Sequence, residues 1–162
     1  MKVFVRIFLI LFSICIVQPA FSKMVATESS ELHFQKMVLF YVNQYRAKKH
    51  LPPLRLVNNI STEAAQHSQD MASQRIPFGH QWFNTRIKHI YKEIKNCRAA
   101  AENVAYYKMN AKKLVEAWIA SPGHRRNIEG RYNLTGIGVA HGKKGWGYYT
   151  QIFIKSDDKR YS

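Results

Sequence analysis

Apolar residues recur at helical spacing in several parts of the chain. Between Leu32 and about Lys48 they fall mostly three or four positions apart, and cations gather near Lys48, where the negative end of a helix dipole favours them. Residues 60–72 carry a face of small residues suited to close packing, and residues 111–120 again show helical spacing. A shorter amphipathic pattern covers residues 82–94. The pattern therefore predicts four helices.

The pattern changes to that of strands towards the end of the chain. Residues 134–140 and 146–154 are rich in β-branched and aromatic residues, and the glycine-rich stretch 141–145 between them predicts a hairpin turn. Residues 101–107 predict a strand or an extended loop. Helices followed by a terminal antiparallel hairpin indicate an α+β domain.

Prolines and capping residues mark where the predicted helices begin and end. Two successive prolines within residues 50–54 cannot continue a helix, so this stretch is predicted to be a stiff, extended connector. A cap near Asn59 or Ser61 begins the second helix. Asn110 caps the last helix, and residues 121–123 end it.

Residues 1–22 have the layout of a secretory signal peptide. A short basic segment precedes an apolar run over residues 3–17, and small residues at the −3 and −1 positions predict cleavage between Ser22 and Lys23. The apolar run is shorter than the ~20 residues that a spanning helix needs, and a proline follows it. We therefore predict a secreted protein, extracellular or periplasmic, that does not span the membrane.

The remaining chain, about 140 residues, is the size of one domain with its own core. Residues 23–31 are predicted to be a short polar lead-in, residues 32–156 the domain, and residues 157–162 a polar C-terminal tail.

The predicted mature chain keeps a single cysteine. Cys15 lies in the signal segment, which leaves Cys97 without an intramolecular disulfide partner. Cys97 is interpreted as a partly buried apolar residue or as a thiol for dimer formation. A nucleophilic role is disfavoured, because no neighbouring group in the sequence clearly activates the thiol.

The chain is strongly basic. Its formal net charge is +15, and removal of Lys2 and Arg6 with the signal segment leaves +13. The basic residues, Arg46 and Arg86 among them, are dispersed, which is typical of a solvated surface. Such a surface attracts anionic cell-envelope polymers and lipid headgroups. The dispersed pattern does not indicate sequence-specific nucleic-acid binding.

Several short segments form an ordered set between Leu32 and Ile154. They are VNQYRA at 42–47, LPPL at 51–54, the small-residue helix at 64–72, GH at 79–80, FNTRI at 83–87, AENVA at 101–105, WIASPGHRRNI at 118–128, IGV at 137–139 and YYTQIF at 148–153. This set resembles the CAP superfamily (cysteine-rich secretory, antigen 5 and pathogenesis-related-1 proteins, the SCP domain), in its bacterial secreted form. The resemblance covers nearly the whole predicted mature chain.

The resemblance implies a three-layer α-β-α sandwich with an antiparallel central sheet and a broad cleft. By position, His80, Glu102 and His124 would line that cleft. The second acidic residue of many eukaryotic members falls at Ser121, so this chain departs from the family's full set of two histidines and two acids. Ala101 replaces the usual glycine before the acidic residue.

This set of side chains has two chemical interpretations. Two imidazoles and one carboxylate would give zinc or another divalent ion three ligands and leave one coordination position open. They would equally form an acid–base group without a metal. The intervals of 22 residues lack the i,i+4 spacing of a helical zinc motif, so the convergence of His80, Glu102 and His124 is implied by the resemblance alone.

Other residues have a structural interpretation beside a functional one. Tyr149 and Gln151, on the last predicted strand, either line the cleft or belong to the core. Arg86 either anchors a buried carboxylate or carbonyl or serves packing only. His67 and His89 are predicted to lie on helix surfaces.

Three functions are compatible with the sequence. The leading one is a secreted binding module, without catalysis, whose cleft holds a small ligand, lipid or peptide and whose basic surface holds it near anionic envelope components. The second is a metal-dependent hydrolase of a peptide or envelope polymer, in which a metal-bound water attacks and Glu102 serves as ligand or base; Ser121 in place of an acid weakens it. The third is an interaction surface of virulence type, directed at a host protein, with a relic cleft. The fold does not choose between them.

Overall fold

The computed structural model describes residues 19–161, with side chains from residue 30 onward. Its helices are α1 (Pro19–Lys48), α2 (Asn58–Ala72), α3 (Phe83–Glu93), α4 (Ala111–Ala120) and α5 (Pro122–Ile128), and its strands are β1 (Arg55–Leu56), β2 (Cys97–Tyr107), β3 (Leu134–His141) and β4 (Gly147–Ser156). The four predicted helices and the terminal hairpin are all present. Asn110 caps α4 as predicted, because its side chain accepts a hydrogen bond from the backbone N–H of Lys113 at 3.0 Å.

The N-terminal part of the chain differs from its prediction. Helix α1 begins at Pro19, so residues 23–31 continue the helix and do not form a separate lead-in. The predicted signal peptide falls mostly on residues 1–18, which lie outside the described part, and it stays a prediction. Within residues 19–161, no helix combines the length and the apolar character needed to cross a bilayer.

Two elements have no counterpart in the predicted pattern. Residues 121–123 end α4 as expected, but Pro122 then occupies the first turn of α5, where its missing N–H removes no intrahelical hydrogen bond. Strand β1 has only two residues and pairs in parallel with β3. A pair this short leaves no periodic signal in the sequence.

The four strands form one sheet in the order β1-β3-β4-β2, antiparallel except for the β1–β3 pair. Helices α1 and α4 pack together on one face, and α2 packs on the other face, over β3 and β4, with α3 beside it. The predicted α+β, three-layer architecture is confirmed. Strand β2 lies at the edge of the sheet, and this position places the candidate site.

Among the described residues the buried core forms three clusters, and the two larger ones lie on opposite faces of the sheet. On one face, Val42 and Trp118 pack against Phe153. On the other face, Ile60 and Ile90 belong to a second buried cluster. Successive residues of one strand therefore pack into clusters on opposite faces of the sheet.

Arg46 is buried in the layer formed by α1 and α4, although its positive charge predicted a solvated position. Only 1% of its surface is exposed, and its guanidinium donates to the carbonyl oxygens of Ile128 (2.6 Å), Gly130 (2.9 Å) and Pro52 (2.8 Å). These bonds connect α1 to the loop that follows α5 and satisfy the buried donors.

Helix α2 approaches β3 closely because two glycines face it. A Cβ atom at Gly138 would overlap backbone atoms of Ala64 and Ala65, and one at Gly136 would overlap those of Ile60 and Ser61. Backbone atoms of a packed helix cannot move aside cheaply, so only glycine allows this contact.

We expect Gly138→Ala to lower the free energy of unfolding by about 3 kcal/mol or more, because the added methyl group must push α2 off the sheet. Urea unfolding followed by circular dichroism measures this. Gly123→Ala is the control, since an added Cβ there meets nothing within 4 Å. Equal stability of the two variants would show that α2 and β3 are not in this contact.

Candidate functional site

Glu102 lies at the centre of the candidate site, on the edge strand β2. Its side chain is 1% exposed and points to the face of the sheet that carries α2 and α3. Its backbone carbonyl points away from β4, where the side-chain amide of Asn127 donates to it at 3.1 Å. The residue is therefore held by side-chain contacts from one helical layer and by a backbone contact from the other.

Arg86 of α3 binds the Glu102 carboxylate with a forked geometry. Its Nε donates to Oε2 at 3.0 Å, and its Nη2 donates to Oε1 at 2.8 Å and to Oε2 at 2.7 Å. Nη1 donates to the carbonyl oxygen of Gln81 at 2.6 Å. The Arg86 side chain is 8% exposed. Of the two interpretations of Arg86, the structure therefore contains the anchoring of a buried carboxylate.

His80 is brought to the same carboxylate from the loop before α3. Its Nδ1 lies 2.8 Å from Glu102 Oε1, and its side chain is 53% exposed. An ionised carboxylate only accepts hydrogen bonds, so Nδ1 of a neutral His80 carries the proton and Nε2 keeps its lone pair. Glu102 thus orients the ring and sets which nitrogen is available.

His67 was predicted to lie on the surface of α2, and this prediction is wrong. The side chain is 1% exposed, with Nε2 2.8 Å from the carbonyl oxygen of Gly79 and 3.9 Å from Glu102 Oε1. Because a carbonyl only accepts, Nε2 is the donor. Gly79 has φ 145°, a conformation that favours glycine, and His67 secures this turn next to His80.

The helical period was the signal that could have found His67. Ile60, Ala64, His67 and Met71 follow one another at intervals of four, three and four, and all four are buried. The residue lies on the same stripe as the apolar positions.

His124 lies in the opposite layer, on α5. Its backbone carbonyl accepts from Asn103 Nδ2 at 3.2 Å, and Asn103 in turn accepts from Asn127 at 2.8 Å. Burial, and then the nearby charge of His80, lower the pKa of His124. The two asparagines belong to the AENVA and WIASPGHRRNI segments, and in the structure they fasten α5 to β2.

A shallow groove of about 270 Å³ opens beside this group of residues. It is lined by His80, Phe83, Ala101, Glu102 and Asn127. Ser121, at the junction of α4 and α5, and His124 on α5 are half-buried, and neither belongs to this lining.

Tyr149 and Gln151 lie away from the groove. They pair with Ala105 and Asn103 across β2 and so point to the sheet face opposite Glu102. Tyr149 is 2% exposed and its hydroxyl donates to the carbonyl of Met109 at 3.1 Å. Gln151 is fully buried and donates to Thr135 at 3.2 Å. Their core interpretation is the one that the structure supports.

The donor set at this site does not fit a divalent metal. Both oxygens of Glu102 are occupied by Arg86, and a guanidinium beside a carboxylate repels a second cation. Among residues 19–161, no three His, Cys, Asp or Glu side chains are grouped closely enough to hold a metal ion. Metal binding would require Arg86 to leave Glu102.

Cys97 begins β2 at a distance from this chemistry. It is free and half-buried, and its Sγ lies 3.3 Å from the carbonyl of Ile94. Burial raises the pKa of the thiol, which keeps it protonated and poorly nucleophilic.

A family model for the cysteine-rich secretory protein family, CAP, matches residues 39–153. The chain belongs to the CAP family. YkwD of Bacillus subtilis is 33% identical over 128 residues, which are 78% of this chain and 49% of that protein. This chain therefore spans about half the length of that relative.

Two solved structures share the CAP fold with this chain. An extracellular protein of Bacillus anthracis that contains an SCP domain has a TM-score of 0.66 at 23% identity, over 86% of this chain and 44% of that one. An outer surface protein of Borrelia burgdorferi has a TM-score of 0.65 at 18% identity, over 75% of this chain and 92% of that one. At these identities the likeness concerns the fold alone.

We expect Arg86→Ala to destabilise this CAP domain by about 3–5 kcal/mol, because it leaves the Glu102 carboxylate buried without its cation. Denaturant unfolding measures the loss. The exposed pair of Arg75 and Asp70 supplies the control: the Arg75 side chain is 63% exposed, and Arg75→Ala is expected to cost less than about 1 kcal/mol. A loss no larger for Arg86 than for Arg75 contradicts the buried pair.

The stability of the domain is expected to fall in mild acid. Burial, and then the charge of Arg86, lower the pKa of His67, while Glu102 opposes and His80 adds to the shift. Because the pKa of His67 is lower in the folded state than in the unfolded state, its contribution to stability is complete above about pH 6.5, the pKa in the unfolded state. This contribution is lost as the pH falls from there towards the pKa in the folded state.

His67→Gln removes this titration and keeps a side-chain donor for Gly79. We expect the free energy of unfolding to fall by about 1 kcal/mol less in this variant than in the wild type between pH 7.5 and 5.5. Urea titrations across that range measure both slopes. An equal pH dependence of the free energy of unfolding in the wild type and in His67→Gln would refute a neutral, buried His67.

Proposed function

We propose that this CAP protein is an exported binding module whose groove beside β2 holds a small polar ligand or a peptide segment through His80. The observation that carries the proposal is the anchored imidazole of His80. Its Nδ1 is held by Glu102 while half of the side chain stays exposed beside the groove. An imidazole whose Nδ1 is held by a carboxylate, and whose other edge is exposed beside a groove, is suited to recognising a ligand.

The groove presents a hydrogen-bond acceptor to a ligand. Arg86 compensates the charge of Glu102, so the carboxylate contributes no net negative charge to the site. Neutral His80 donates from Nδ1 to Glu102, so its exposed side offers the Nε2 lone pair to an O–H or N–H group of the ligand, and only the protonated ring donates there.

A metal-dependent hydrolase has less support from the same geometry. It needs Glu102 as a ligand or as a base, yet both of its oxygens accept hydrogen bonds from Arg86 and one also from His80. The half-buried Ser121 supplies no carboxylate in its place. We therefore propose binding without catalysis as the role of the groove.

Export is the second part of the proposal. The signal-peptide pattern over residues 1–22 supports it, together with an extracellular and an outer surface protein among the structures of the same fold. The net charge of +13 that remains after removal of Lys2 and Arg6 with the signal segment would concentrate such a protein near anionic envelope polymers.

We expect native mass spectrometry of the exported chain to detect an organic adduct that His80→Ala reduces about tenfold, because the hydrogen bond between the ligand and Nε2 of His80 is lost. His89→Ala is the matched control. His89 is 52% exposed and pairs with Glu63 at 3.3 Å, outside the groove.

An adduct that survives in His80→Ala, or a wild-type protein without any adduct, would contradict ligand binding in this groove. An adduct with the mass of a divalent metal, lost in His80→Ala, would favour the hydrolase instead.

A further inference from the structure

A cluster of aromatic side chains lies at the end of the sheet where the β3–β4 turn is found. Tyr106 stacks on Trp146 with ring centroids 4.7 Å apart and also contacts Tyr148 at 4.6 Å. Phe78 lies 6.1 Å from Tyr106, and Tyr107 meets the edge of Trp146 at 5.6 Å. We call these five residues the aromatic cluster.

Much of the aromatic cluster is exposed to solvent. Phe78 is 50% exposed, Tyr107 55% and Tyr106 41%. Isolated exposed aromatic residues are ordinary, but a contiguous group of them usually marks a surface that contacts a partner.

Three lysines surround the aromatic cluster. Lys108 places its Nζ 5.9 Å from the ring centroid of Trp146, and the exposed Lys143 and Lys144 form the adjoining turn. Among the side chains described from residue 30 to residue 161, no carboxylate forms an ion pair with any of the three. The segments that build this face, residues 75–82, 104–115 and 140–149, contain no Asp or Glu.

Exposed aromatic edges framed by unpaired lysines fit the headgroup region of an anionic bilayer. Trp and Tyr settle at that depth because one part of the ring is apolar and another polar, and lysines add attraction to acidic lipids. A sugar would need a free ring face for stacking. The faces of Tyr106 and Trp146 are instead turned towards each other, with an interplanar angle of 19°.

We propose that the aromatic cluster with Lys108, Lys143 and Lys144 is a docking face for anionic lipid surfaces. It goes beyond the proposed ligand groove, and the two are neighbours, because Phe78 and His80 belong to the same loop. Docking here brings the loop that carries His80 to the membrane surface.

The test is sedimentation with lipid vesicles. The chain is expressed from residue 1 to residue 162, recovered after export and checked by intact mass. The vesicles are pure phosphatidylcholine or phosphatidylcholine with 30% phosphatidylglycerol. We expect binding only to the anionic vesicles, lost in 0.5 M salt. Each lysine near such a surface contributes roughly fivefold, so Lys143→Glu with Lys144→Glu is expected to weaken binding about twentyfold or more.

The aromatic contribution is tested with Phe78→Ser and Tyr107→Ser together, for which we expect a loss of about tenfold. Phe40→Ser is the matched control, because Phe40 is 54% exposed on α1. Lys88→Glu with Lys92→Glu, on α3, changes the net charge equally and controls for diffuse attraction. Both controls are expected to stay within about twofold of the wild type.

Three results would overturn the proposal. The first is no binding of the wild type to anionic vesicles, with or without retention on an acidic polysaccharide such as polygalacturonate. The second is an equal loss in the α3 lysine variant, which would assign the binding to overall charge. The third is full binding of the Phe78 and Tyr107 double variant.

Discussion

The ion pair between Arg86 and Glu102 is the interaction on which the candidate site depends. A carboxylate that is 1% exposed has a large desolvation cost, which the hydrogen bonds from a forked guanidinium and an imidazole offset here. Once Glu102 is held, the ring of His80 and the turn at Gly79 that His67 secures acquire defined positions. The pair therefore links α3, β2 and the loop between α2 and α3.

The position of Glu102 on an edge strand brings both helical layers to this ion pair. Because β2 has a neighbouring strand on one side only, α5 can approach its free edge, where Asn127 contacts the backbone of Glu102 and Asn103 contacts that of His124. The two helical layers thus meet at Glu102. Arg86 cancels the charge of the carboxylate, which makes metal chemistry at Glu102 unfavourable.

The sequence predicted what local interactions determine. Asn110 and the apolar spacing that follows it located α4 to the residue, and the ordered CAP segments identified the family and the fold. Burial of polar side chains was not predictable in the same way. Arg46 is buried because carbonyls more than 80 residues away accept its hydrogen bonds, and a dispersed cation carries no sign of such partners. Helix α5 was missed because proline and glycine are typical of a helix end, although proline also suits a first turn.

The most direct test of this account is the tautomeric state of the histidines, measured from ring ¹⁵N chemical shifts of the labelled protein in long-range ¹H–¹⁵N spectra above pH 7. The account predicts that neutral His80 carries its proton on Nδ1, because Glu102 accepts it, and that His67 carries its proton on Nε2, because Gly79 accepts it. A neutral His80 protonated on Nε2 would mean that Glu102 does not hold the ring, and would contradict the site as described.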